Sequence, residues 1–205
     1  MFGGVIRLAC STALAAGILT GTAAAMPKEM AVTGRATAPV GYSAFCRMHP
    51  AQCLAYGKPV DVPLTTKRWQ ELVAVNDRIN RTIAPVTDQE LYQVEEFWTL
   101  PHDQGDCEDY VLLKRKELID RGWPSGSLLI TVVFDEVGSG HAVLIARTSA
   151  GDLVLDNKVD QIKPWFETPY RYVKRQSAVD PNAWVSVGDP RWSAPLTATP
   201  RSTIP

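Results

Sequence analysis

The sequence predicts an α+β domain in which N-terminal helices pack on an antiparallel β-sheet. Helical periodicity is confined to residues 66–121, strand-like apolar runs occupy 128–187, and a tight Ser149-Ala150-Gly151 connection joins two of those runs as antiparallel neighbours. Composition agrees, since 45% hydrophobic and 21% charged residues in 205 suit one globular domain and exclude a coiled coil, a collagen-like repeat or a wholly disordered chain. A formal charge of −1 offers no broad basic field, so no nucleic acid is expected as a partner.

The first 25 residues read as a secretory signal. Arg7 precedes an apolar run from Leu8 to Leu19, and Ala23-Ala24-Ala25 supplies the small residues of a cleavage site. The run is rich in Ala, Gly and Thr rather than in the roughly 20 strongly apolar residues a span requires, so cleavage is expected rather than stable membrane insertion. Export, to the periplasm or beyond, follows from that reading. Removing the signal takes the formal charge to −2 and leaves Cys46, Cys53 and Cys107.

Residues 26–64 are rich in Pro, Gly, Ala and Thr without a sustained period and read as an extended N-terminal segment. Within it, Cys46 and Cys53 of FCRMHPAQC are close enough to close a small loop, which suits an oxidising compartment and leaves Cys107 as the free thiol. The rival is a zinc site using Cys46, His49 and Cys53, which lacks a fourth ligand and matches no common spacing.

The folded domain is expected over 65–190. Trp69, Leu72, Val73, Asn76, Ile79 and Ile83 follow helical spacing, giving a helix over 66–83 started by Thr65 or Thr66 and ended before Pro85. Asn76 and Asn80 fall on or beside its inner face, where hydrogen bonding to a neighbouring loop is expected. Thr87-Asp88 caps a second helix running through Leu91 and Val94 to Trp98, before Pro101. A third runs from Cys107 to Arg121, stopped by Gly122 and Pro124. The strands are expected at 128–134, 141–148, 152–156, 170–175 and 184–187. The Ser/Thr/Pro-rich tail at 191–205 has no core pattern and is expected to be disordered.

Gly105-Asp106-Cys107-Glu108-Asp109 is the sharpest chemical feature. Asp106 is a good N-cap and Asp109 stands at the third helical position, a capping-box-like spacing that leaves Cys107 in the first turn. Unpaired N–H groups and the helix dipole favour a thiolate there, while Glu108 and Asp109 oppose it. Of three histidines, His49 lies in the cysteine loop and His102 in the loop before Cys107. His141 opens a β-prone run after a flexible Gly138-Ser139-Gly140, and Asp156 ends the next strand. On an antiparallel hairpin those two positions share one end of the sheet. Cys107 as nucleophile, His141 as base and Asp156 as its orienting acid complete the logic, with helix-start N–H groups as oxyanion donors. The alternative is a buried structural cysteine, a strand-edge histidine and a turn-forming aspartate.

GDCEDY, followed by Lys114, Gly122 and Pro124, then HAVLIA and LVLDN, resembles the bacterial transglutaminase-like cysteine proteinases, a periplasmic family that includes calcium-dependent adhesin-processing proteases of biofilm control. The VNDRIN run with Asp88, Tyr92, Trp98 and Pro101 is similar to that family's N-terminal part, so the resemblance covers about 66–175. It implies a papain/transglutaminase-like fold, a protein substrate such as a surface adhesin or another exported protein, and the same three residues as its triad. It also implies a calcium site from acids flanking the nucleophile, here Asp106, Glu108 and Asp109, a hard oxygen donor set that would offset the charge beside the thiol. Helix capping explains the same acids. The CRMHPAQC loop and the Pro-rich tail are not features of the biofilm proteases. The leading expectation is a thiol endopeptidase with no organic cofactor. The alternatives are an amine-accepting cross-linking enzyme and a non-catalytic calcium-responsive binding module.

Overall fold

The computed structural model describes residues 26–192. The expected signal at 1–25 and residues 193–205 of the expected tail lie outside the described residues. Alternation of apolar side chains at period two makes the centre of the molecule a sheet with two covered faces. In β4 (Leu128–Phe134) and β5 (Gly140–Thr148), Leu128, Ile130, Leu144 and Ala146 join one core, while Leu129, Val133, Val143 and Ile145 join another. The sheet is antiparallel and seven-stranded. Its order is β1 (Ala31–Ala36), β9 (Trp184–Gly188), β8 (Arg171–Gln176), β4, β5, β6 (Gly151–Leu155), β7 (Lys163–Pro164).

The helices cover one face. α2 (Thr66–Thr82) contributes Leu72, Val75 and Ile79 to the first core, and α4 (Cys107–Asp120) contributes Val111 and Leu118. Thr65 caps α2 by accepting the Arg68 N–H at 3.3 Å. The other face is closed by the 165–172 segment with Trp165 and Tyr170, and by Met30. A two-residue parallel pairing of β2 (Ala84–Pro85) with β3 (Gln104–Gly105) ties the end of α2 to the chain just before Cys107.

Three expectations change. Residues 26–64 are not simply extended. They form β1 and a nine-residue helix, α1 (Val40–Met48). β1 is an exposed edge strand, so it has no apolar alternation to read, and α1 buries only Gly41, Tyr42 and Phe45. The second expected helix is one turn, α3 (Asp88–Tyr92), ended by Gln93 at φ 58°. The chain then folds back so that the Asp88 carboxylate accepts the Phe97 N–H, and a helix to Trp98 cannot form. Arg191 and Trp192, at the start of the expected tail, end the last described turn, where Arg191 donates to the Thr168 and Tyr170 carbonyls at 2.7 Å.

Candidate active site

Cys107 is the first residue of α4 and is half-buried. Asp106 precedes it in extended conformation, but its side chain makes no cap bond to the helix. Asp106 Oδ2 instead accepts the Asp88 N–H at 3.3 Å, and Asp109 Oδ1 accepts the Thr99 N–H at 2.8 Å. The Asp106 half of the capping-box spacing is thus turned to a tertiary bond, while Asp109 faces the Asp106 backbone as well as Thr99; a complete capping box forms at Thr87 and Glu90.

His141 and Asp156 meet through the hairpin register. Leu144 pairs with Leu155 and Ile145 with Val154, so continuing the ladder puts Asp156 level with Val143, two residues from His141. His141 Nε2 lies 2.9 Å from Asp156 Oδ1, with both side chains buried. Asp156 Oδ2 accepts the Tyr170 hydroxyl, and Oδ1 accepts the Lys158 N–H at 3.1 Å. Burial alone would raise the Asp156 carboxyl, but the bonds and charge of His141 and the Tyr170 bond outweigh it and hold the carboxyl low. Tyr170 also packs edge-on against the imidazole at 5.5 Å.

The sulfur of Cys107 reaches the same strand, since the Ala142 backbone bonds to it and favours the thiolate. Burial works more strongly the other way, and so does Glu108, whose Oε2 accepts the thiol at 3.1 Å, so the thiol is pushed well up. Cys107 and His141 line two adjoining clefts. One, of about 220 Å³, is walled by Pro39, Glu96, Trp98, Val132 and Lys174. The other, of about 250 Å³, is walled by Val86, Thr87, Asp106, Asn157 and Lys158.

Asp88, Asp106 and Glu108 gather beside the sulfur with carboxylate oxygens within 4.8 Å of one another. Burial and the Asp106 charge push Glu108 up to about 8. Asp88 Oδ1 and Asp106 Oδ1 are buried and without a hydrogen-bond donor, as a cation-ready cluster requires. Asp109, expected with Asp106 and Glu108, points to the 99 segment instead and is also pushed up to about 8 by burial. The sequence marks Asp88 as a helix-cap residue and as part of the family resemblance, but nothing in its local sequence announces a contact 18 residues away. Tyr170 stands in sequence only as the start of a strand, and its bond to Asp156 has no local signal.

Cys46 and Cys53 are joined as a disulfide, which removes both sulfurs from the zinc alternative. His49 stacks on Phe45 at 4.9 Å, and His102 is fully exposed beside Asp103. Among the described residues, no helix is long and apolar enough to cross a membrane.

A helix opening on a free cysteine, packed on an antiparallel sheet that carries a bonded His–Asp pair, defines a transglutaminase-like fold of the thiol-hydrolase class. Residues 32–192 match the family described as bacterial transglutaminase-like cysteine proteinase, BTLCP, and the chain belongs to that family. Among solved structures it is similar to calcium-bound LapG of Legionella pneumophila, with 24% identity and a TM-score of 0.50 over 62% of this chain and 75% of that one. It is also similar to EGTA-treated LapG, with 24% identity and a TM-score of 0.49 over 60% and 72%. Among curated proteins, no sequence match is found.

Proposed function

We propose that this protein is an exported thiol endopeptidase that hydrolyses a peptide bond of another exported protein through Cys107, His141 and Asp156. The observation that carries the reading is the buried His141–Asp156 hydrogen bond beside a cleft lined by Cys107. With Nε2–H held by Asp156, His141 Nδ1 is the nitrogen left to take the thiol proton. The sulfur then attacks the scissile carbonyl carbon, and the resulting oxyanion is met by N–H groups of the first turn of α4. Collapse expels the amine, which receives the proton from His141. Water, deprotonated by the same imidazole, hydrolyses the thioester and restores the thiol.

Asp88, Asp106 and Glu108 would hold a calcium ion, with Asp88 in the place that Asp109 was expected to take. Three oxygen donors, two of them with unsatisfied oxygens, fit a hard cation, and a calcium-bound form of the similar LapG supports the assignment. When bound, the ion supplies positive charge that offsets the acids flanking the sulfur. Glu108 is the ligand that also accepts the thiol, so its orientation decides whether the sulfur is held as a donor or freed toward the cleft.

The test compares N-termini of exported proteins from wild-type cells and Cys107→Ala cells, with and without EGTA. New termini that need both Cys107 and calcium are expected. Identical termini in the two strains, with no labelling of Cys107 by a thiol probe, refute the proteolytic reading. Incorporation of a labelled amine without new termini would point to acyl transfer instead.

A further inference from the structure

Beneath the hairpin end that carries Asp156 lies a buried polar cluster which the chemistry above does not use. Lys114 sits on α4 two turns beyond Cys107, fully buried, and its Nζ has no hydrogen-bond partner. It lies 5.8 Å from the centre of the Tyr110 ring, and its charge is coupled to Asp156 and Asp160. From α2, Asn80 Nδ2 donates to the Asp156 carbonyl at 2.9 Å and to Asp160 Oδ1 at 2.8 Å, while Asn76 Nδ2 donates to the Asp160 carbonyl at 3.0 Å. The amide oxygens of Asn76, Asn80 and Asn157 are buried and unpaired like the lysine.

A buried ammonium without a partner is costly to keep, and apolar side chains of similar volume would fill the same space. Burial pushes Lys114 down to about 7, and the charges of Asp156 and Asp160 oppose that shift. The polar groups all converge on one short stretch, 156–160. That stretch has two further ties: Lys158 N–H to Asp156 Oδ1, and Lys158 Nζ to Asp135 at 2.8 Å. Asp156 stands just beyond the last ladder pair of β6, so the sheet itself does not fix its backbone. Asn80 binds the carbonyl of the residue that orients His141, and Asn76 binds the Asp160 carbonyl at the far end of the same stretch.

We propose that Asn80, with Asn76, holds the 156–160 loop through its hydrogen bonds while the buried Lys114 acts on it through charge alone, and that all three are positioning residues that set the orientation of Asp156 against His141. The inference rests on the Cys107–His141–Asp156 reading. It extends the site by one layer, from the hairpin into the interface of α2 with α4, and explains why polar side chains occupy that interface.

The experiment measures the rate of Cys107 alkylation by iodoacetamide against pH in calcium-containing buffer. Wild type, Asp156→Ala, Asn80→Ala and Lys114→Met are compared, with thermal unfolding of each recorded alongside. Asn80→Ala and Lys114→Met are expected to unfold cooperatively, to lose about tenfold to a hundredfold in rate at neutral pH, and to shift the pH profile toward that of Asp156→Ala. Combining Asn80→Ala with Asp156→Ala should cost nothing further, because both act through the same imidazole. A lowered melting temperature with an unchanged pH profile overturns the proposal and leaves a purely structural role. Should Lys114→Met fail to fold, Asn80→Ala alone decides. If Asp156→Ala itself keeps the wild-type profile, it is the triad reading that fails.

Discussion

Replacing Asp88 by Asn should stabilise the calcium-free protein and weaken calcium binding together. Oxygens of Asp88, Asp106 and Glu108 lie within 4.8 Å of one another. At an effective dielectric constant of about 20, two unit charges at that separation repel by about 3 kcal/mol. With Glu108 pushed up to about 8, the repulsion felt at neutral pH is chiefly that between Asp88 and Asp106. Asp88→Asn deletes it, and the asparagine oxygen can still accept the Phe97 N–H that the carboxylate holds. A gain of about 1–3 kcal/mol follows, or about 3–10 °C in melting temperature for a domain of this size.

Calcium binding moves in the opposite direction, since affinity follows the number of anionic ligands. A loss of at least about tenfold is expected, about 1.4 kcal/mol. Thermal unfolding in EGTA and in excess calcium, together with calorimetric titration, reads both changes on one preparation. Asp109→Asn is the control, because Asp109 faces the Thr99 N–H and lies outside the acidic cluster, so its calcium affinity should stay at the wild-type value. A lower calcium-free melting temperature in Asp88→Asn with affinity intact, or loss of calcium binding in Asp109→Asn instead, refutes the reasoning.

Three other expectations can be checked on purified protein. Converting Cys46 and Cys53 to Ser opens a link between residues seven apart, and the chain-entropy relation gives a loss of about 2.5 kcal/mol, read as a melting temperature lower by about 5–10 °C with Cys107 labelling unchanged. A Cβ on Gly41 would clash with Trp98 Cδ1, so Gly41→Ala must push that ring, which walls the cleft beside Cys107. A destabilisation of about 1–3 kcal/mol is expected, with proteolysis falling further than alkylation by small iodoacetamide. Lys114 titrates at about 7 in the fold against an ordinary 10.5, so the cost of its charge is complete below 7 and is relieved as pH rises toward 10.5. Relative to Lys114→Met, the wild-type melting temperature should therefore climb between pH 7 and 10, and a constant difference would show that the lysine stays charged.

What was legible in the sequence follows from how local each signal is. The strands at 128–134, 141–148 and 152–156 are legible because both sheet faces are covered and their apolar runs are dense. The Ser149-Ala150-Gly151 connection makes the last two antiparallel neighbours but leaves their register open by a few residues, which the fold settles. That register alone brings His141 and Asp156 near each other. Asn76 and Asn80 were legible as inward-facing residues that fix a loop, though not as residues that fix the loop of Asp156. α1 was missed because three buried positions in nine residues give too little periodicity, and β1 because it is an exposed edge. Asp88 and Tyr170 reach the site through contacts 18 and 14 residues away in sequence, and no spacing rule reports such contacts.

The acids around Cys107 show why local rules misplace charge at such a site. An aspartate before a helix and another at its third position satisfy the spacing of a cap. In the fold, β2 and β3 pair and bring Thr87 and Asp88 against the helix start, so Asp106 accepts a bond from Asp88 rather than from α4. Asp109 is drawn under Gly105, where a Cβ would stand 2.6 Å from Asp109 Oδ2, and turns to Thr99. These two diversions leave the first turn of α4 without a bond from the Asp106 side chain. The Asp106 side chain therefore does not occupy the first-turn N–H groups that the proposed mechanism assigns to the developing oxyanion. The same diversions carry Asp106 toward Asp88 and Glu108, so one rearrangement serves both the acidic cluster and the donor face of the helix. Asp106→Ser tests this link against Asp88→Asn, which weakens the same acidic cluster without capping the helix: a serine can cap α4, so Asp106→Ser should slow turnover relative to Cys107 alkylation by more than Asp88→Asn does. An equal ratio in the two variants would mean that the first-turn N–H groups take no part beyond placing the sulfur.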